Sequence, residues 1–177
     1  MTATEELPNL YLAGMIGSGN TTLGQIIARR LSRPFIDYDW ELEKETGLDL
    51  HSLIRERGWL EFREHEYTTI KRLSQQRGLV VGLGGGTVRY EWNRDLLRGT
   101  GPVVLLTADL EVLSARVRAN DRPRVNTEMT LEEELQWMWD QGREKYLAAA
   151  DEVYDTGRGL SPDQEAEQII VLVEKFF

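Results

Sequence analysis

The sequence predicts an α/β fold, a parallel sheet covered by helices on both faces, and three observations carry that reading. Short apolar runs alternate with stretches of helical periodicity along the whole chain. A glycine-rich loop, Gly14-Met-Ile-Gly-Ser-Gly-Asn20-Thr-Thr22, joins the first apolar run to the first amphipathic stretch. Two further polar features, Asp37-Tyr-Asp39 and Gly84-Gly85-Gly86, also follow directly on predicted strands. All three should therefore meet at the carboxyl edge of one sheet, where ligands bind in such folds.

The elements follow in order. Asn9 to Ala13 is a short apolar run and reads as a buried strand. Thr21 to Leu31 carries Leu23, Ile26, Ile27 and Leu31 on one helical face. Pro34 to Asp37 is the second strand. Helical stretches are expected at 40–47, 50–57 and 60–76, the last with Phe62, Ile70 and Leu73. Leu79 to Leu83 is the third strand and runs into the glycine triplet.

After a helix at 90–97, Pro102 to Thr107 is the fourth strand and Leu110 to Ala119 a helix. Residues 120–129 are polar and contain a proline, so they read as a mobile loop. The helix from Thr130 to Ala149 starts with Thr130 as N-cap and Glu133 closing a capping box. Trp137 and Trp139 cannot share one helical face, so at least one is exposed or at a contact. A strand at 152–155 and a helix at 162–176 close a five-stranded sheet.

At 177 residues the chain fits one domain, 1–177, with a core that needs neither disulfide nor structural metal. The absence of cysteine excludes disulfide frameworks, thiolate zinc sites and cysteine nucleophiles. A net charge of −9 disfavours nonspecific binding to nucleic acid or anionic membrane. No apolar stretch is long enough to span a bilayer, and the acidic start does not read as a secretory signal. The expectation is a cytoplasmic monomer acting on small molecules, with no nucleic-acid or membrane partner.

The glycine loop matches the phosphate-binding pattern G-x-x-x-x-G-K-[ST] at every position but one: Asn20 stands in the place of the lysine. Gly14, Gly17 and Gly19 allow the tight turn that points backbone N–H groups at phosphate oxygens. Thr21 is placed for a magnesium ion, and the helix start beyond adds partial positive charge. What is missing is the one full positive charge that reaches the β- and γ-phosphates.

Asp37 and Asp39 flank one residue at a strand end, and strand alternation would put both on one side. One carboxylate then suits a magnesium shell, the other a substrate hydroxyl proton. Arg63 on a predicted helix reads by itself as a surface ion pair with Glu66. Arg143 and the Arg122-Pro123-Arg124 segment by themselves read as solvated surface. His51 and His65 show no metal-ligand spacing.

Taken together, the glycine loop, Asp-x-Asp, Phe62-Arg63, the triple glycine, Arg122-Pro123 and a late Arg143…Tyr146 pair resemble shikimate kinase. The resemblance runs from about Leu10 to the last helix. It implies a single-domain P-loop kinase fold with a mobile substrate-binding segment at about 38–75 and a lid at about 119–129. The implied activity is transfer of the ATP γ-phosphate to the 3-hydroxyl of shikimate, with Mg²⁺.

The resemblance also implies roles. Asp39 would hold the shikimate hydroxyls and assist deprotonation. Arg63 and Arg143 would clamp the carboxylate. Gly84, Gly85 and Gly86 would bring backbone close to the same substrate. Gly14, Gly17, Ser18, Gly19, Asn20, Thr21 and Thr22 would cradle ATP. Thr21 and Asp37 would serve Mg²⁺, Asp37 through water. Arg122 would act from the lid on the transferring phosphoryl group. Arg116 would pack on adenine, with Arg158 and Pro162 in the adenine loop.

The chain departs from the family pattern at Asn20, Tyr38, Trp59, Arg124-Val125 and in the three-residue spacing of Arg143 and Tyr146. Asn20 matters most. Its amide is neutral and shorter than a lysine stem, so turnover should be weak while binding survives. Two histories fit: a lysine replaced to trap a bound state, or a natural kinase-like protein that binds without turnover. The matching arginines favour the first. The rival readings are a non-catalytic ligand-binding protein and another small-metabolite kinase such as a gluconate kinase.

Overall fold

Two buried apolar runs, β1 (Leu10–Gly14) and β4 (Val103–Thr107), lie side by side in the middle of a parallel sheet. In the computed structural model, which describes residues 7–120 and 128–177, β2 (Phe35–Asp37), β3 (Val80–Gly82) and β5 (Glu152–Asp155) complete the sheet. The order is β2-β3-β1-β4-β5, with every neighbouring pair parallel. β1 is buried along its whole length, as a strand covered on both faces must be.

Alternation along the strands divides the core. Leu10, Leu12, Val80, Val104 and Leu106 pack with α1 (Asn20–Leu31) and α7 (Pro162–Val173). Tyr11, Ala13, Val81, Val103 and Leu105 pack on the opposite face. That layer is built from α2 (Tyr38–Thr46), α3 (Leu50–Ser74), α4 (Glu91–Leu97), α5 (Leu110–Ala119) and α6 (Leu131–Ala149). Among the described residues no helix is long and apolar enough to cross a membrane.

The register fixes the ligand edge. Gly14 pairs with Leu106, Leu12 with Gly82, and Asp37 with Gly82, so the glycine loop, Asp37 and the glycine triplet all leave the sheet at one end. The two helices expected at 50–57 and 60–76 form a single span broken at Gly58, whose φ of 85° and ψ of 169° suit glycine alone. That break re-aims the chain before Trp59, Phe62 and Arg63. The capping box of Thr130 and Glu133 is present, and a second one, Ser161 with Gln164 and Pro162, starts α7. The last helix ends earlier than expected, in a 3₁₀ turn over Glu174–Phe176.

Asn9, fully buried ahead of β1, ties three elements. Its amide donates to the Leu73 and Gln76 carbonyls at 3.3 and 3.0 Å and to the Tyr11 hydroxyl at 2.9 Å. Its oxygen accepts from the Leu79 N–H at 2.9 Å. Asn9→Ala leaves these buried groups unpaired and is expected to cost about 2–3 kcal/mol. In urea unfolding, the midpoint should fall with an unchanged m-value.

Candidate active site

The loop between β1 and α1 is shaped by close approach and by handedness. A Cβ on Gly14 would lie 2.4 Å from Ser18 Oγ and 2.6 Å from the Leu106 carbonyl oxygen, so no larger residue fits there. Gly19 is the N-cap of α1 in the left-handed region, φ 107°, and supplies no side-chain cap. The first N–H groups of α1 are thus left for a ligand, the arrangement that binds phosphate.

Asn20 is seated in the fold. Its Nδ2 donates to the Leu83 carbonyl at 3.2 Å, and Ser18 Oγ donates to its Oδ1 at 3.4 Å. The amide bridges the loop to the chain after β3 and brings no charge to the cavity. Arg116 secures the other side of the loop. Its guanidinium donates to the Gly17 carbonyl at 3.2 Å and to Thr156 Oγ1 and the Thr156 carbonyl at 2.9 and 2.7 Å.

Asp37 and Asp39 do not stand on a common strand face, because α2 begins at Tyr38. Asp37 caps that helix, its Oδ1 accepting from the Asp39 N–H at 3.0 Å. Its Oδ2 accepts from Thr21 Oγ1 at 2.7 Å. Asp39 lies in the first helical turn, and both carboxylates line the same cavity. Strand alternation, expected to align the two acids, does not do so; a helix start brings them together. Tyr38 between them is buried, and burial pushes its phenol well above the usual range, with Glu66 and Asp39 adding to the effect.

The Arg63–Glu66 pair is no surface feature. Arg63 Nη1 donates to Glu66 Oε2 at 2.8 Å, with side chains 17% and 1% exposed. Glu66 also accepts from Thr87 Oγ1 at 2.9 Å and Asn93 Nδ2 at 3.1 Å. The guanidinium lies over the rings of Tyr90, Phe62 and Trp59 at 4.4, 4.6 and 5.3 Å. Helical spacing gives the pair, but only the packing of α3 on α4 reveals the burial. Thr87 and Asn93 carry no signal in the sequence that would mark them as partners of Glu66.

These groups line one cavity of about 1160 Å³. That is slightly above the roughly 300–1,000 Å³ typical of small-ligand pockets. The glycine loop from Gly14 to Thr22, Asp37, Asp39, Arg63, Gly84 to Gly86 and Arg116 all reach it. Pro162 and the buried Glu165 lie at its lining too, and burial raises the Glu165 carboxyl. Arg143 does not line the cavity; it is exposed on α6, while Gly142 beside it is buried. Arg158 is also outside the lining, exposed near Asp155 and over the Tyr154 ring. Arg122, Arg124 and most of the expected lid lie outside the described residues.

Among the described residues, no group of three or more His, Asp or Glu side chains is built to hold a metal alone. Thr21 and Asp37 offer two oxygen donors, which fits Mg²⁺, an ion that keeps waters and binds through one or two carboxylates plus substrate phosphates.

A family model described as shikimate kinase matches residues 16–174. A shikimate kinase of Psychrobacter cryohalolentis is 41% identical over 120 residues, 68% of this chain and 64% of that protein. The match thus spans just under two thirds of that relative's length. A shikimate kinase of Cupriavidus pinatubonensis is 35% identical over 168 residues, covering 94% of this chain and 86% of that one. The structure of shikimate kinase from Acinetobacter baumannii in complex with shikimate superposes with a TM-score of 0.89 at 32% identity, over 98% of this chain and 96% of that one.

Proposed function

The chain belongs to the shikimate kinase family, and from that premise we propose that it binds MgATP and shikimate together and transfers the γ-phosphate to the shikimate 3-hydroxyl, slowly. The observation that carries the reading is the single cavity that joins an uncapped helix N-terminus at Gly19 to the acid Asp39 and the guanidinium of Arg63.

In this reading the backbone of the glycine loop from Gly14 to Thr22 holds the ATP phosphates. Thr21 and Asp37 hold Mg²⁺, which when bound would offset phosphate charge. Asp39 holds the substrate hydroxyls and accepts the proton of the attacking one. Gly84, Gly85 and Gly86 let backbone meet the same ring. Arg63 takes the carboxylate, oriented by Glu66. Arg116 lies toward adenine, and Arg122 belongs to the lid. Phosphoryl transfer needs mostly positioning and charge stabilisation. The positioning groups are present, and the loop cation is not. A cytoplasmic monomer is part of the proposal, in keeping with a cysteine-free, acidic chain.

The test is direct detection of product. Protein at high concentration, incubated with ATP, Mg²⁺ and shikimate, should yield shikimate phosphate by mass spectrometry, and no phosphogluconate when gluconate replaces shikimate. Phosphorylation of gluconate instead would reverse the substrate assignment. A second reading, a ligand-binding protein without turnover, is favoured by one observation, the hydrogen bonds that seat Asn20 on Leu83 and Ser18. It predicts no product at any concentration.

A further inference from the structure

A carboxylate site gains from net positive charge, and Glu66 offsets that of Arg63. The Arg63 guanidinium is matched at 2.8 Å by Glu66, which is buried and shares no solvent that would weaken the pairing. The helix that the family resemblance pointed to for a second cation does not provide one. The α6 residues that line the cavity are Leu131, Glu134, Leu135, Trp137 and Met138. Arg143 is exposed away from it. At the buried position 142 a Cβ would fall 2.6 Å from Tyr146 Cε2, so Tyr146 occupies the space a side chain there would need.

Arg89 has the features Arg143 lacks. It ends the 3₁₀ turn Thr87–Arg89 that follows the glycine triplet, and it lines the cavity. Its Nε is buried and has no hydrogen-bond partner, and the same is true of Arg63 Nε. Arg89 enters no ion pair among the described residues. Arg89 therefore brings to the cavity wall a guanidinium that no carboxylate among the described residues neutralises, whereas that of Arg63 is paired with Glu66. Both cations also act on one neighbour: the Tyr146 phenol, pushed up to about 12 by burial, is drawn back by Arg89 and then by Arg63. Tyr146 in turn donates to the Gly85 carbonyl at 2.5 Å, which ties this corner to the triplet.

We propose that Arg89 is the second guanidinium of the substrate carboxylate site, paired with Arg63 in the role that the family resemblance implies for Arg143. The proposal rests on the shikimate reading above. Arg63 contributes orientation through Glu66 and the aromatic rings, and Arg89 contributes the uncompensated charge.

The test titrates shikimate, and separately its methyl ester, into the wild-type chain and into Arg89→Gln, Arg89→Lys and Arg143→Ala. Arg89→Gln should weaken shikimate binding about 10- to 100-fold, the weight of charge-assisted hydrogen bonds to one carboxylate. Its affinity for the uncharged ester should match wild type, and Arg89→Lys should recover part of the loss. Arg143→Ala should stay within about twofold, as a surface substitution does. Wild-type affinity in Arg89→Gln overturns the assignment while leaving the shikimate reading intact. An equal loss for acid and ester also overturns it, since Arg89 would then act through packing. A wild-type chain that binds no shikimate overturns the function, and this site with it.

Discussion

Replacing Asn20 by lysine should raise shikimate-dependent ADP formation by about 10²–10⁵-fold, the range over which single charge-stabilising groups act in phosphoryl and acyl transfer. The gain should fall on kcat, because the ammonium follows charge that develops in the transition state more than charge present in bound ATP. Shikimate affinity should scarcely move, since Arg63 and Asp39 lie on other elements. The structural cost is small: the substitution removes the amide contact to the Leu83 carbonyl and the weak one from Ser18. A coupled assay of ADP release reads the effect. A folded Asn20→Lys protein that binds ATP and still turns over at the wild-type rate would show that the missing charge is not what limits this chain.

The second large effect is on stability. Arg63→Ala leaves Glu66, 1% exposed, facing Thr87 and Asn93 with no cation beside it. Removing one partner of a buried pair typically costs about 3–5 kcal/mol, far more than the pair itself contributes. Urea unfolding of Arg63→Ala should show a loss of that size. The double variant Arg63→Ala with Glu66→Gln should be more stable than Arg63→Ala alone, because a neutral amide can still bond Thr87 and Asn93. A loss below about 1 kcal/mol would place the pair with ordinary exposed ion pairs and contradict its burial. Shikimate binding should be lost in both variants.

Much of this molecule is legible in its sequence because local pattern and tertiary demand agree. Apolar runs at Leu10 and Val103 become central strands since nothing polar interrupts them. Thr130 and Glu133 announce a helix start that the fold uses. The glycine loop is readable because backbone geometry, not side-chain packing, makes it work. Where the outcome turns on distant partners, pattern falls silent. Glu66 looks like any acid three residues from an arginine until α4 brings Asn93 to it. Arg143 fits a motif by type, yet helical phase turns it outward and gives the inward position to Gly142. Arg89 carries no motif at all and becomes visible only as an unpartnered buried donor. Asp37 and Asp39 do share the cavity, by a helix start rather than by strand alternation.

The site is expected to bind shikimate without a cation at position 20. Trp59 and Trp137 line the cavity and are partly exposed, so tryptophan fluorescence reports its occupancy. Equilibrium titration of the unaltered protein with shikimate should give a saturable change that gluconate neither produces nor competes away. A flat response to shikimate from folded protein, or displacement of shikimate by gluconate, would mean that this cavity is not a shikimate site.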